Sequence, residues 1–279
     1  MNKKPNYELL KPIAREVGRK KAGVDKLKTP FSGKDIWNCY EFSFLEESGK
    51  PFVGILRLEY PAETEYLVES KSLKLYLNSF NMCLFPDMEA ALEVVITHLE
   101  RILHTSELKL TVFTHKTHSQ SFTSANGFTC LDEVETLGSF FYEENPDILE
   151  ICTPTSPEVF FMSNLLRSNC PFTGQPDWGS VYIYYVPDKK SVTGVSLLRY
   201  IVSFHNHRGF HEECCERMLA VLLKAIEPLK MVIFCKYTRR GGIDINPLRV
   251  YPAKTIRNLP PQIMNILYFS QIYLSQGGG

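Results

Sequence analysis

A nine-residue pattern occurs twice in this chain. Ser72-Leu73-Lys74-Leu75-Tyr76-Leu77-Asn78-Ser79-Phe80 reads S-L-x-x-Y-x-x-S-F, and Ser196-Leu197-Leu198-Arg199-Tyr200-Ile201-Val202-Ser203-Phe204 repeats it 124 residues later. In each copy the apolar positions (Leu73, Tyr76, Leu77, Phe80; Leu197, Tyr200, Ile201, Phe204) recur at helical spacing. The flanks repeat too. Strand-like runs at 37–45 and 52–60, split by the turn Glu46-Glu47-Ser48-Gly49-Lys50-Pro51, precede the first helix. A second helix opens behind Asp87, a good N-cap, and carries Leu92, Val95, Ile96, Leu99 and Ile102 on one stripe; a strand at 108–113 follows. Downstream, strands at 159–166 and 181–186 lead to the repeat helix, a second helix over 211–226 and a strand at 231–237. Each half thus reads strand, strand, helix, helix, strand, with one more strand expected.

This order implies an α+β fold of two duplicated units, each an antiparallel sheet with two helices packed on one face. The expected divisions are an N-terminal arm at 1–30, a first module at 31–145 and a second at 146–279. At 279 residues the chain has length enough for two such units.

The overall charge narrows the function. Lys and Arg total 31 and Asp and Glu total 31, so no basic excess speaks for direct binding of nucleic acid. No run approaches a membrane span. The segment 1–28 is basic but lacks a following apolar run, so it reads as an arm or exposed helix and not as a secretory leader. Eight Cys are scattered without a framework or a CxxC, which implies reduced thiols in a cytosol.

A duplicated unit keeps its fold in both copies and can divide its chemistry between them, so the differences are informative. Val68-Glu69-Ser70-Lys71 precedes the first repeat helix, where Thr193-Gly194-Val195 precedes the second. Glu69 suits either a helix-dipole role or a ligand contact. The run Ser168-Asn169-Cys170-Pro171-Phe172-Thr173-Gly174-Gln175-Pro176-Asp177-Trp178 reads as a stiff loop that either is structural or holds Cys170 and Asp177 in fixed relation. A thiol nucleophile needs such an acid or base beside it. His205-Asn206-His207-Arg208-Gly209-Phe210-His211-Glu212-Glu213-Cys214-Cys215 fits zinc spacing poorly. Glu212 suits either the helix dipole or acceptance of two N–H bonds from a guanine-type edge, with His211 as a proton relay. Tyr237-Thr238-Arg239-Arg240-Gly241-Gly242 is either a solvated hairpin tip or a phosphate clamp. No G-x-G-x-x-G follows a strand, so a nicotinamide cofactor would need another scaffold.

Together, Glu69-Ser70-Lys71-Ser72-Leu73-Lys74-Leu75-Tyr76, Cys170-Pro171-Phe172-Thr173-Gly174-Gln175-Pro176-Asp177-Trp178, Phe210-His211-Glu212, Arg239-Arg240-Gly241-Gly242 and the entry Phe31-x-Gly33-x-Asp35-Ile36-Trp37 resemble the 7-cyano-7-deazaguanine reductases, the nitrile reductases of queuosine biosynthesis, in their two-module form. The resemblance spans nearly the whole chain past residue 30, except that 116–135 and the tail after Asn246 diverge. It implies tandem tunnelling-fold modules with the site between them. Cys170 would attack the nitrile carbon to give a thioimide, and Asp177 would protonate the nitrogen, with His211 beside them. Two NADPH would supply the reducing equivalents. Val68, Glu69, Ser70, His211 and Glu212 would bind 7-cyano-7-deazaguanine, while Ser70, Lys71, Arg240 and Gly241 would bind NADPH. No metal is expected, and by analogy the enzyme would be a cytoplasmic homodimer. The rivals are a zinc-dependent purine or pterin ring hydrolase on the same fold and a binding module that has lost its chemistry.

Overall fold

The computed structural model describes residues 4–26, 30–114, 127–134 and 140–268. The first half contains β1 (Pro12–Ala14), α1 (Arg15–Ala22), β2 (Ser32–Glu46), β3 (Pro51–Pro61), β4 (Tyr66–Val68), α2 (Ser70–Asn78), β5 (Leu84–Phe85), α3 (Met88–Leu103) and β6 (Lys109–Phe113). Then come β7 (Thr129–Cys130), β8 (Ile151–Cys152), β9 (Val159–Asn169), β10 (Pro176–Val186), β11 (Ser191–Val192), α4 (Gly194–Ser203), α5 (His211–Ile226), β12 (Lys230–Tyr237), β13 (Ile243–Tyr251) and α6 (Pro261–Tyr268). The fold is α+β, and β13 supplies the extra strand in the second half. Most of the poorly aligned segment 116–135 lies outside the described residues.

Among the described residues the two halves share one nine-stranded sheet, ordered β6-β3-β2-β13-β12-β10-β9-β7 with β5 against β2. Its pairings are antiparallel except β2 with β5 and β7 with β9. The junction is the ladder of β13 on β2, in which Ile243 faces Cys39 and Arg249 faces Gly33. The close approach requires that glycine: a Cβ on Gly33 would lie 2.0 Å from the carbonyl oxygen of Leu248.

Side chains alternate across a strand, so each face of the sheet has its own core. On one face, α2 and α3 cover Trp37, Cys39, Phe42, Phe44, Leu56 and Leu58. On the same face, α4 and α5 cover Leu166, Val181, Ile183, Tyr185, Met231 and Ile233. The repeat residues Leu73, Tyr76, Phe80, Leu197, Tyr200, Ile201 and Phe204 are all fully buried there. The opposite face carries Ile36, Tyr184, Val232, Phe234, Leu248 and Val250 beneath Ile263 and Ile266 of α6. The tail, read from sequence as merely divergent, therefore extends the sheet and covers its second face.

The basic segment read as an arm or an exposed helix contains α1, which docks on the second half through one buried edge. Arg15 and Ala22 of α1 are buried, and α1 packs on α5. A basic helix docks here because carboxylates lie beneath it. Arg15 Nη2 is 2.5 Å from Asp35 Oδ2, and Arg19 Nη2 is 3.6 Å from Glu216 Oε1.

Candidate active site

The loop expected over 168–178 is narrower. Ser168 pairs with Asp177 and Asn169 with Pro176, so only 170–175 form the hairpin tip. Pro176 is tolerated because it opens its strand. The tip is closed by Cys170 N–H donating to the Gln175 carbonyl (2.9 Å) and Gly174 N–H donating to the Cys170 carbonyl (2.9 Å). Gly174 adopts φ +69°, which favours glycine. Asn169 N–H donates to the His207 carbonyl (2.8 Å), which stitches the hairpin to the segment leading into α5.

Cys170 is half-buried. Burial works against its thiolate. The Thr173 hydroxyl and amide, the Arg240 guanidinium and the Phe172 amide outweigh burial and hold the thiol below its ordinary range. Asp177 lies between two cationic or potentially cationic partners: His211 Nε2 at 3.3 Å from Oδ2 and Arg240 Nε at 3.4 Å from Oδ1. Arg240 also donates to Gln175 Oε1 (3.1 Å). It thus pairs with the acid and bonds the loop, and it favours the Cys170 thiolate from the same position.

His211 and Glu212 form the first turn of α5, whose N-cap is Phe210 with no side-chain cap. The imidazole stacks on Tyr237, ring centroids 3.8 Å apart and planes 12° apart, and its Nδ1 has no hydrogen-bond partner among the described residues. Glu212 is 3% exposed, and its Oε1 likewise has none. Burial first and Asp35 second push its carboxyl above the usual range, while Arg15 and His211 pull it down. An unpartnered buried carboxylate oxygen is costly unless a ligand donates to it.

The 239–242 segment is indeed a hairpin tip. Gly241 and Gly242 adopt φ +60° and +81° in a tight turn closed between Arg240 and Ile243. It also faces the first half. A Cβ on Gly241 would lie 3.7 Å from Lys74 Cδ, and Arg239 lies over the Tyr40 ring, 4.7 Å from its centroid. Between this turn and α2 lies a cavity of about 330 Å³, lined by Glu41, Lys74, Asn78, Gly241 and Gly242 among others.

Glu69 is the N-cap of α2 and accepts from Lys71 N–H (3.0 Å) and Ser72 N–H (2.7 Å). Ser70 and Lys71 open the helix, and Val68 is buried at the end of β4. The structure brings Cys170, Asp177, His211 and Arg240 into one contact network and sets Glu212 beside His211. The Val68–Lys71 motif has no hydrogen bond or ion pair to that network among the described residues; the halves meet instead through Lys74 and the 241–242 turn. Sequence reasoning missed the roles of Thr173, Gln175 and Tyr237, although all three lie inside quoted motifs. It also missed the charged residues beneath Glu212. Among the described residues no group of three or more His, Cys, Asp or Glu is placed to hold a metal, and no helix is long and apolar enough to cross a membrane.

Cys170, with its thiol held below the ordinary range, Asp177, paired with His211 and Arg240, and the buried, unpartnered Oε1 of Glu212 are the chemically distinctive groups of this region. Residues 2–112 match the family model described as nitrile reductase, 7-cyano-7-deazaguanine-reductase N-term, and residues 176–255 match that of QueF-like protein. A relative from Burkholderia vietnamiensis named NADPH-dependent 7-cyano-7-deazaguanine reductase is 43% identical over 242 residues, 86% of both chains. One of the same name from Desulfotalea psychrophila is 41% identical over 250 residues, 89% of this chain and 88% of the relative. A crystal structure of the archaeosine synthase QueF-Like in the apo form aligns with 36% of this chain and 98% of its own, at 17% identity and a TM-score of 0.34. The chain belongs to the 7-cyano-7-deazaguanine reductase family.

Proposed function

We propose that this enzyme reduces the nitrile of 7-cyano-7-deazaguanine to the aminomethyl group with NADPH, through a covalent thioimide on Cys170, as a step in queuosine biosynthesis. The observation that carries the reading is the Cys170–Arg240–Asp177 arrangement, in which one guanidinium stabilises the thiolate and holds the acid beside it. The thiolate attacks the nitrile carbon, and Asp177, positioned by His211 and Arg240, delivers a proton to the nitrogen. Glu212 accepts N–H groups of the base, with His211 alongside and Val68, Glu69 and Ser70 completing the pocket. A buried carboxylate that must be satisfied discriminates strongly against analogues lacking those N–H groups.

Nitrile to amine takes two hydrides and two protons: two NADPH would supply one hydride each, the C–S bond would break after the first to return Cys170 as thiolate and leave an imine, and a second proton would reach the nitrogen as the imine becomes the amine. The residues fit that cofactor. Arg239 and Arg240 precede a glycine turn with positive φ, beside a cavity of about 330 Å³ where Lys74 pairs with Glu41 (3.1 Å), a setting in which a phosphate can compete for the cations. Ser70, Lys71, Arg240 and Gly241 would hold it there. We further infer tandem tunnelling-fold modules, supported by the repeat and by the matching helix pairs of the two halves. We also infer a cytoplasmic homodimer without direct contact to nucleic acid. Among the described residues β6 has a strand on one side only, an edge that a second copy can pair.

The test is to mix the protein with 7-cyano-7-deazaguanine and record absorbance and intact mass, beside Cys170→Ala. A near-ultraviolet band and a mass gain equal to the substrate, absent in the variant and discharged by NADPH, are expected. No adduct and no NADPH consumption would overturn the reading.

A further inference from the structure

Beneath Glu212 lies a group of charges that the reaction as described does not use. Asp35 in β2 is fully buried and takes two guanidiniums, Arg15 Nη2 at 2.5 Å and Arg249 Nη1 at 2.8 Å. Arg249 Nε donates to Glu216 Oε1 (3.0 Å), one helical turn beyond Glu212 on the same face of α5. Arg15 Nε donates to Thr64 Oγ1 (3.1 Å), and Arg15 Nη1 has no partner among the described residues. Neither has the Tyr60 hydroxyl, the Trp37 Nε1 or Glu212 Oε1, although all are buried. Geometry links this group to the first turns of α5: α1 packs on α5, a Cβ on Gly18 would lie 3.3 Å from Glu213 Oε2, and Asp35 reaches Glu216 through Arg249.

We propose that Arg15, from the N-terminal helix, is a positioning residue of the base-binding site: fixed by Asp35 and Thr64 in a helix that packs on α5, it prepares the Glu212 carboxylate to accept the N–H edge of the heterocycle. The proposal rests on the assignment of Glu212 to base recognition. The groups that face Glu212 are Asp35 from β2, Arg15 from α1 and His211 from its own helix, with Tyr60 from β3 and Arg249 from β13 next to them. Of these, Asp35 opposes a charge on Glu212 and Arg15 favours it. A protonated carboxyl has one acceptor fewer for a base edge that offers N–H donors. Removing Arg15 takes away the favourable charge and also leaves half of Asp35 unneutralised.

The test measures non-covalent binding of 7-cyano-7-deazaguanine calorimetrically in a Cys170→Ala background, which removes the titrating thiol, from roughly pH 5.5 to 9. Binding requires ionised Glu212, so it weakens as pH falls through that group's folded pKa. Arg15→Met is expected to move the midpoint up by about one unit, a loss of up to about tenfold at pH values below the midpoint that is recovered in alkali. Arg15→Lys keeps the charge but cannot fork to Asp35 and Thr64 together; it is expected to show a smaller shift and supplies the readout should the Met variant not fold. An unmoved midpoint in both variants, whatever their melting temperatures, overturns the proposal. Glu212→Gln separates the two assignments. A binding profile that keeps its pH step in Glu212→Gln overturns the role of Glu212 itself, and the role of Arg15 with it.

Discussion

The second helix of each half begins differently. In α3, Asp87 is the N-cap and accepts from the Ala90 amide at 2.7 Å, and the buried residues Ala91, Val95, Leu99, Ile102 and Leu103 are all apolar. In α5, Phe210 stands at the N-cap with no side-chain bond, and Glu212, Glu213, Cys214, Cys215 and Glu216 are buried among the leucines. The hairpins differ in the same way. The β2–β3 tip is an exposed turn, whereas the β9–β10 tip carries Cys170. One copy of the pattern is built as a core element. The other lacks a side-chain N-cap and carries buried carboxylates in place of apolar residues, a substitution that in general costs about a kcal/mol or more.

That contrast fails first if the second half does not hold the acid. Asp177→Asn keeps the shape but cannot donate the proton and draws less on Arg240 and His211. NADPH consumption is expected to fall about 10³-fold, with the melting temperature nearly unchanged. Activity within tenfold of the parent would move the acid elsewhere. The buried charges of α5 should next show their structural cost. Glu216→Ala leaves the buried Nε of Arg249 unpaired, with Asp35 as its remaining carboxylate, and is expected to destabilise the fold by about 3 kcal/mol in urea unfolding.

The two helices can then be compared directly. Asp87→Ala removes a cap and is expected to cost about 1 kcal/mol of stability without changing turnover. Glu212→Gln is expected to have the opposite effect. The carboxyl of Glu212 is raised in the folded protein, so its ionisation opposes folding. That penalty is absent below the ordinary carboxylate range and complete above the folded pKa. Near neutral pH the Gln variant should therefore be the more stable of the two, and the difference should shrink in acid, while it binds the nitrile more weakly. A Gln variant less stable than the parent at neutral pH would show that Glu212 is a structural charge.

Much of this was legible because local signals and fold agree. The α5 boundaries, the Asp87 cap and the order of elements in each half follow from periodicity and capping chemistry. The ends of β9 and β10 were not legible. Pro176 and Asp177 are poor strand formers by themselves, and only the ladder opposite Ser168 and Asn169 makes them strand. Nor was the cluster beneath Glu212. Arg15, Asp35, Glu216 and Arg249 are brought together by the β13–β2 ladder and by docking of α1, contacts between segments far apart in sequence. The candidate nucleophile and acid could be singled out because they share one hairpin, whereas their shared partner Arg240 arrives from a different one.

The smallest expected effect tests how the second hairpin earns its chemistry. Cys170 is held below the ordinary thiol range although burial opposes it, and Thr173 heads the causes that lower it. Thr173→Val keeps the shape and deletes the hydroxyl. Because the folded pKa is depressed, the thiolate persists above it and is lost as pH falls through it, so removing a donor moves that loss to higher pH. The rate of Cys170 alkylation by iodoacetamide, followed on its own peptide to separate it from the half-buried Cys130 and Cys152, is expected to show a midpoint up to about one pH unit higher, a several-fold drop at neutral pH. Thioimide formation should slow in parallel. An unchanged midpoint would assign the depression to Arg240 and the loop amides. The hairpin would then differ from its first-half counterpart chiefly through what the other elements bring to it, and less through its own sequence.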